Sequence, residues 1–309
     1  MLLLTGATGF IGGAILQALP SNKVKVLGRS RPENGSSIFV ASEIKTGIDY
    51  SHALVDVNVI IHSAARAHIM NDTAEEPLEA FREVNSLGTL NLACQAAKAG
   101  VSRFIFISTV KVNGERTEKD KPFRFNNPSM PEDAYGISKS EAEFGLRALS
   151  KQTGMEVVII RSPLVYGPGV KANFAAMMKL ASKNLPLPLG AIHNKRSLVA
   201  LDNLVDLIVT CIDHPKAANE TFLVSDDQDV STTELLNKMT VAAGKKPWLI
   251  PVPMKLIQLG AAVLGKKAVA DRLCGNLQVD ISHTKEVLGW TPPIMLEQGL
   301  ARCFQKKES

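Results

Sequence analysis

Tyr135 and Lys139 lie four residues apart in a stretch that reads as a helix, and that spacing puts both side chains on one face. A free phenol titrates near pH 10, at about the alkaline end of the side-chain range, so a tyrosine that moves protons at neutral pH needs a positive neighbour to stabilise its phenolate. Lys139 is placed to be that neighbour. Ser129 and Glu132 have capping-box spacing, Pro131 suits a first helical turn, and Gly154 suits a C-terminal stop, which together frame the helix.

Chemistry of a second kind is written at the N-terminus. The apolar run Leu2-Leu3-Leu4 leads through Thr5 into Gly6, Gly9 and Gly12, spaced G-x-x-G-x-x-G, with Thr8, Phe10 and Ile11 between the glycines and an apolar-periodic helix following. Glycine is needed where the backbone turns sharply, where it approaches a pyrophosphate, and where helix packs tightly on strand, while the helix N-terminus offers free N–H donors to phosphate. This is the pattern of a dinucleotide-binding turn. The second strand ends Leu27-Gly28-Arg29-Ser30-Arg31, without the acidic residue that would hydrogen-bond the ribose hydroxyls of NAD. Arginines there can pair a 2′-phosphate bidentately, so NADP(H) is expected ahead of NAD(H); the alternative is Arg29 stacked on the adenine of NAD.

The elements that must position these groups alternate through the first half. Strands are expected over 2–5, 24–27, 38–40, 59–62, 104–108 and 157–161, with helices from residue 11, around 75–99 and up to 151. Such alternation implies an α/β, Rossmann-like, doubly wound parallel sheet, with ligands at the carboxyl ends of the strands. After Pro163 prolines punctuate shorter elements, which suits a smaller interleaved C-terminal substrate lobe. Residues 1–163 are therefore expected to form the dinucleotide-binding unit, with 197–225 returning to it, and 164–309 mainly the substrate lobe.

In this order and spacing the motifs resemble the short-chain dehydrogenase/reductase superfamily, in its extended branch of NAD-dependent epimerases and dehydratases that modify nucleotide sugars. The resemblance spans nearly the whole chain. It includes His62-Ser63-Ala64-Ala65 (H-x-A-A), Asn85 to Asn91 (N-x-x-G-T-x-N), Arg161 to Pro168 (R-x-x-x-x-Y-G-P), and Arg196 with Asp202. Alignment through Val112 and Gly114 puts Thr109 in the catalytic Ser/Thr place beside Tyr135 and Lys139. The resemblance further implies cofactor contacts at Ser63, Ala64, Ala65, Asn85 and Pro163, and adenine contacts at Glu43 and Ile44. Ser108, Thr109, Asn173, Phe174 and Arg196 are implied at the substrate, with Arg272 as either a second cation or an ordinary surface arginine. His68 is a similar case, at the hexose or facing solvent.

What the resemblance implies is hydride transfer at C4 of a UDP-hexose or UDP-N-acetylhexosamine in bacterial polysaccharide precursor synthesis, by a 4-epimerase or a 4-keto-reductase. Related 4,6-dehydratases carry Asp-Glu after the catalytic Thr; Val110 and Lys111 stand here, which argues against dehydration. Leu164 replaces an Asn that many relatives hold near the phosphates. Extended members also act on steroid- or flavonoid-like alcohols, and some relatives sense dinucleotides without catalysis, typically after losing the Tyr-Lys pair that this chain keeps. A homodimer paired through the helices containing Asn91 and Lys139 is also implied.

Composition sets the remaining limits. The 309 residues are 45% hydrophobic and 21% charged, with a net charge of +5 and no basic run that argues for nucleic acid. Cys94, Cys211, Cys274 and Cys303 are far apart and form no C-x-x-C, so neither disulfides nor a metal site is expected, and His52, His193, His214 and His283 lack metal-ligand spacing. A reducing, cytoplasmic setting is the expectation. The most apolar later stretch, 254–264, is too short to span a bilayer and reads as a packed helix, with a membrane-touching surface helix as the alternative.

Overall fold

Strands β1 (Leu2–Thr5), β2 (Val24–Gly28), β3 (Ile38–Ala41), β4 (Val59–His62), β5 (Arg103–Thr109) and β6 (Glu156–Ser162) are joined by one later strand in a sheet parallel throughout. Between β6 and that strand come β7 (Leu164–Tyr166) and β8 (Leu198–Ala200), which pair only with each other among the described residues; β9 (Thr221–Leu223) then docks on β6. The sheet order is β3-β2-β1-β4-β5-β6-β9. The structure is a computed structural model and describes residues 1–33, 38–67, 76–263, 265 and 267–305; His68 lies outside them.

Strands β4, β5 and β6 carry near-continuous apolar runs because both faces of a parallel sheet are covered. On one face Leu4, Val26, Ile61, Ile105, Ile107, Val158 and Ile160 pack with Ile15 of the Phe10–Ala18 helix and Leu204, Leu207 and Ile208 of the Leu201–Asp213 helix. On the other, Leu3, Ile60, Phe104, Phe106, Val157 and Ile159 meet Leu92 and Ala96 of the Thr89–Lys98 helix and Ala142 and Leu146 of the Ala134–Thr153 helix. A third cluster around Tyr166, Phe174, Leu198 and Leu300 fills the C-terminal lobe. Chain direction reverses its progress across the sheet between β1 and β4, and the crevice at such a switch point is where ligands bind in this architecture.

Three local expectations are corrected. The Tyr135 helix begins at Ala134, not in a Ser129/Glu132 box: Asp133 has the extended backbone of a cap and its Oδ1 accepts from Gly136 N at 2.7 Å, while Ser129 Oγ donates to Val112 O at 3.1 Å. Gly154 does end that helix, at φ +77. The helix expected over 75–99 is α-helical over Pro77–Arg82, π-helical over Glu83–Gly88 and α-helical again over Thr89–Lys98. Within the wide turns Gly88 is required, since a Cβ there would stand 2.9 Å from Lys45 N. The third is Met254–Val263, which is helical but not packed in: Leu256, Leu259 and Val263 are 58%, 64% and 81% exposed. No helix among the described residues is long and apolar enough to cross a membrane.

Candidate active site

Two strand ends meet at the glycine turn with no room for a side chain between them. A Cβ on Gly12 would lie 2.1 Å from Gly6 O, and one on Gly6, whose φ is +74, would lie 2.6 Å from Ala64 N. Gly9 N donates to Gly6 O at 2.9 Å, and the Phe10–Ala18 helix starts with no side-chain cap, so its first N–H groups are left for a ligand in the crevice. Thr8 is exposed, and Phe10 and Ile11 are half-buried beside it. The turn therefore fits a dinucleotide pyrophosphate. Gly12→Ala is expected to weaken nicotinamide dinucleotide binding by at least about a hundredfold, because backbone rather than a flexible side chain must yield; near-normal affinity in a calorimetric titration would show that the turn does not hold the cofactor.

His62 fastens this corner. One ring nitrogen hydrogen-bonds Thr5 Oγ1 and the other Thr89 Oγ1, each at 2.9 Å, tying β1, β4 and the Thr89 helix together. Burial and then the nearby Lys139 charge push its pKa down to about 3, so it stays neutral. Below about 6.5 the unfolded chain takes up a proton that the folded chain refuses, so stability falls as pH drops from there towards about 3, by on the order of 4 kcal/mol for this group. His62→Gln should lower the melting temperature at neutral pH yet lose less between about pH 7 and about pH 4 than wild type does; parallel pH profiles would refute it. Beside it, Ser63 Oγ donates to Thr5 O at 2.7 Å and Ala64 N to Thr5 Oγ1 at 3.1 Å. Asn85, fully buried, accepts from Arg66 N and donates to Arg66 O and Ser138 Oγ, at 2.8 to 3.0 Å. Its amide pins the loop after β4 to the Tyr135 helix.

Thr109 ends β5 and its Oγ1 accepts from Lys111 N at 3.3 Å. The Tyr135 helix is docked on the turn that follows: a Cβ on Gly136 would be 3.0 Å from Lys111 O, and Lys111 Nζ bonds Asp133 and Glu115 at 2.6 and 2.8 Å. Lys111, in the place of a dehydratase carboxylate, is thus a strut. Tyr135 is half-buried, with Phe81 edge-on at 6.2 Å between ring centres. Burial and then the Asp133 charge raise its pKa, holding the phenol protonated. Lys139 is 1% exposed; its Nζ donates to Ile107 O at 2.8 Å and sits 4.2 Å from the centre of the Phe106 ring. Burial lowers its pKa to about 7, against an opposing pull from Glu143 one turn on.

Glu143 was not singled out by sequence, although it repeats the four-residue spacing of Tyr135 and Lys139 on the same face. Its carboxylate accepts from Ser108 Oγ at 2.6 Å, from Arg161 Nη2 at 2.6 Å and from Arg147 Nη2 at 3.1 Å. Ser108, 3% exposed and on the Phe104 and Phe106 side of β5, is therefore turned into this network and not towards a substrate as expected.

Of the other expected positions, Pro163 is buried after β6, Arg29 is exposed at the end of β2, and Glu43 and Ile44 follow β3, where Glu43 O accepts from Tyr50 Oη at 2.9 Å. Arg31 lies over the Phe39 ring at 5.5 Å. Asn173 is exposed in the first turn of the Ala172–Lys183 helix, whereas Phe174, 2% exposed, stacks on Tyr166 at 5.2 Å and is a core residue, not a substrate contact. Arg196 Nη1 donates to the carbonyls of Arg272 and Gly275 at 3.0 and 3.3 Å, and the Arg272 side chain is exposed.

Residues 2–225 match the NAD dependent epimerase/dehydratase family. The chain belongs to that family. A UDP-glucose 4-epimerase of Vibrio cholerae is 52% identical over 309 residues, covering 98% of this chain and 94% of its own. An N-acetyl-alpha-D-glucosaminyl-diphospho-ditrans,octacis-undecaprenol 4-epimerase of Escherichia coli O157:H7 is 27% identical over 318 residues, covering 98% and 94%. The crystal structure of a UDP-glucuronic acid 4-epimerase from Bacillus cereus in complex with NAD shares the fold at a TM-score of 0.77 and 21% identity, covering 98% of this chain and 97% of that one. Within the NAD dependent epimerase/dehydratase family, the Tyr135/Lys139 helix and the glycine turn thus sit on the expected extended short-chain dehydrogenase/reductase frame.

Proposed function

We propose that this protein is a nucleotide-sugar 4-epimerase that acts on a UDP-hexose, with Thr109, Tyr135 and Lys139 as its catalytic residues. The observation that carries the reading is the buried Lys139 one helical turn from Tyr135, beside the end of β5, in a chain 52% identical to a UDP-glucose 4-epimerase. A nicotinamide dinucleotide held at the glycine turn supplies hydride exchange at the sugar carbon. Tyr135 takes the proton from the C4 hydroxyl as that carbon is oxidised and gives it back after reduction on the other face. Thr109 hydrogen-bonds the same oxygen, and Lys139 provides the charge that stabilises the phenolate. Asn173, Arg196 and Arg272 belong to the substrate lobe, since we assign residues 1–163 and 197–225 to cofactor binding and the rest mainly to substrate.

NAD(H) is the better-supported cofactor for this reading, since the matched family is NAD dependent and the Bacillus cereus 4-epimerase of the same fold is in complex with NAD, and the NADP(H) preference rested on two arginines of which Arg31 is engaged on Phe39. A homodimer through the Thr89–Lys98 and Ala134–Thr153 helices fits Phe144, 79% exposed on the second of them, and Leu87, 45% exposed just before the first. The test is to supply UDP-glucose and UDP-N-acetylglucosamine and analyse both for C4 epimers, with a UDP-4-keto sugar and reduced nicotinamide as a parallel sample, while following the reduced nicotinamide in all three. Epimer without net change in the reduced cofactor supports the epimerase. Stoichiometric oxidation with a UDP-4-keto sugar and no epimer would make it a 4-keto-reductase instead.

A further inference from the structure

The Met254–Val263 helix turns large apolar side chains to water. Its exposed positions are Lys255, Leu256, Leu259, Gly260, Ala262 and Val263, while Met254, Ile257, Gln258 and Ala261 are the partly covered ones. A helix that borders a core turns its polar side outward; here the outward arc holds one charged residue and three large apolar ones. Trp248 and Ile250, which lead into it, are 60% and 45% exposed, and Val269 on the Lys267–Cys274 helix packed beside it is 53% exposed. Together these form an apolar patch of the kind that marks a docking surface.

Charge indicates what covers it. Between residues 245 and 275 the sequence has six basic residues, Lys245, Lys246, Lys255, Lys266, Lys267 and Arg272, and one acidic residue, Asp271, so this segment accounts for the whole of the chain's net charge of +5. An apolar arc with a tryptophan at its edge and the exposed Lys246, Lys255 and Lys267 in the same stretch is matched to an anionic lipid surface, where apolar side chains enter the headgroup boundary, the indole sits at that level and the ammonium groups meet lipid phosphates. We propose that the Met254–Val263 helix, with Trp248, Ile250 and Val269 beside it, docks this protein on an anionic bilayer surface, lying in the interface without crossing it. Arg196, which holds the carbonyls of Arg272 and Gly275, links this surface to the substrate lobe.

The experiment is co-sedimentation of the full-length protein with vesicles of phosphatidylcholine alone and of phosphatidylcholine mixed with phosphatidylglycerol, with Trp248 fluorescence as a second reading. Trp290, 6% exposed and bonded to Asp206, should not respond. Binding to the anionic vesicles, a blue shift of the emission, and loss of both at high salt are expected. The variant with Leu256→Gln, Leu259→Gln and Val263→Gln changes only outward side chains and should partition at least about tenfold more weakly with an unchanged melting temperature. No binding to anionic vesicles overturns the proposal, as does binding that the triple variant retains. Self-association of wild type that the variant loses, without vesicle binding, overturns it in favour of a second copy of the chain on this patch.

Discussion

Tyr135→Phe is expected to lower turnover of the epimerised UDP-sugar by about a thousandfold while leaving the affinity for the nicotinamide dinucleotide and the melting temperature close to wild type. Three observations separate the chemical effect from a structural one. Phenylalanine keeps the ring and hence the edge contact with Phe81. The helix that carries residue 135 is held by the Asp133 cap, the Lys111 strut and the Asn85 to Ser138 bond, and the phenol oxygen forms none of these. The phenol is kept protonated by burial, so it is a proton donor at rest and becomes a base only with a cation beside it. Steady-state rates on the purified variant, with cofactor affinity measured separately, decide the matter. Turnover within a few-fold of wild type would remove Tyr135 from proton transfer and the epimerase reading would lose its acid–base group.

Legibility in the sequence followed how local each signal was. The glycine turn, the alternating strands and the Tyr135/Lys139 face depend on neighbours within one turn or strand, and spacing alone conveys them. Ser108 and Thr109 show where that ends: adjacent in sequence and equally polar, they part because a strand sends successive side chains to opposite faces, and the partner that claims Ser108 is a glutamate 35 residues away. The surroundings of Asn85 and Phe174 were hidden for the same reason. Their partners, the Arg66 backbone and the Tyr166 ring, come from other elements brought close by the fold. The cap of the Tyr135 helix was displaced because Ser129 found its acceptor in Val112 O, a tertiary contact that outweighs a local box. Exposure of Met254–Val263 was the least legible, since an apolar helix is normally buried and only the fold shows that nothing in the described chain covers its outward arc.

Glu143→Gln is expected to cost about 3–5 kcal/mol of stability, the scale for stripping the partner from a buried charge. Arg161 is 5% and Glu143 3% exposed at the side chain, and the pair is bidentate through Nε and Nη2. Arg161 Nη1 donates to Asn113 Oδ1 at 3.1 Å, and a neutral amide at position 143 leaves the guanidinium uncompensated among apolar strands. The same change removes the one charge that opposes the burial of Lys139, so the Lys139 pKa falls further below about 7 and less of the cation is available at neutral pH. The two consequences are separable. Removing both members of the pair, as Glu143→Leu with Arg161→Met, should recover most of the stability in a denaturant titration, because no charge is then stranded. Activity should not recover with it, since Lys139 still lacks its carboxylate and its ammonium remains harder to keep charged. A double variant as unstable as Glu143→Gln would mean that the network is held by its hydrogen bonds to Ser108, Arg147 and Asn113 and not by the pairing of charge.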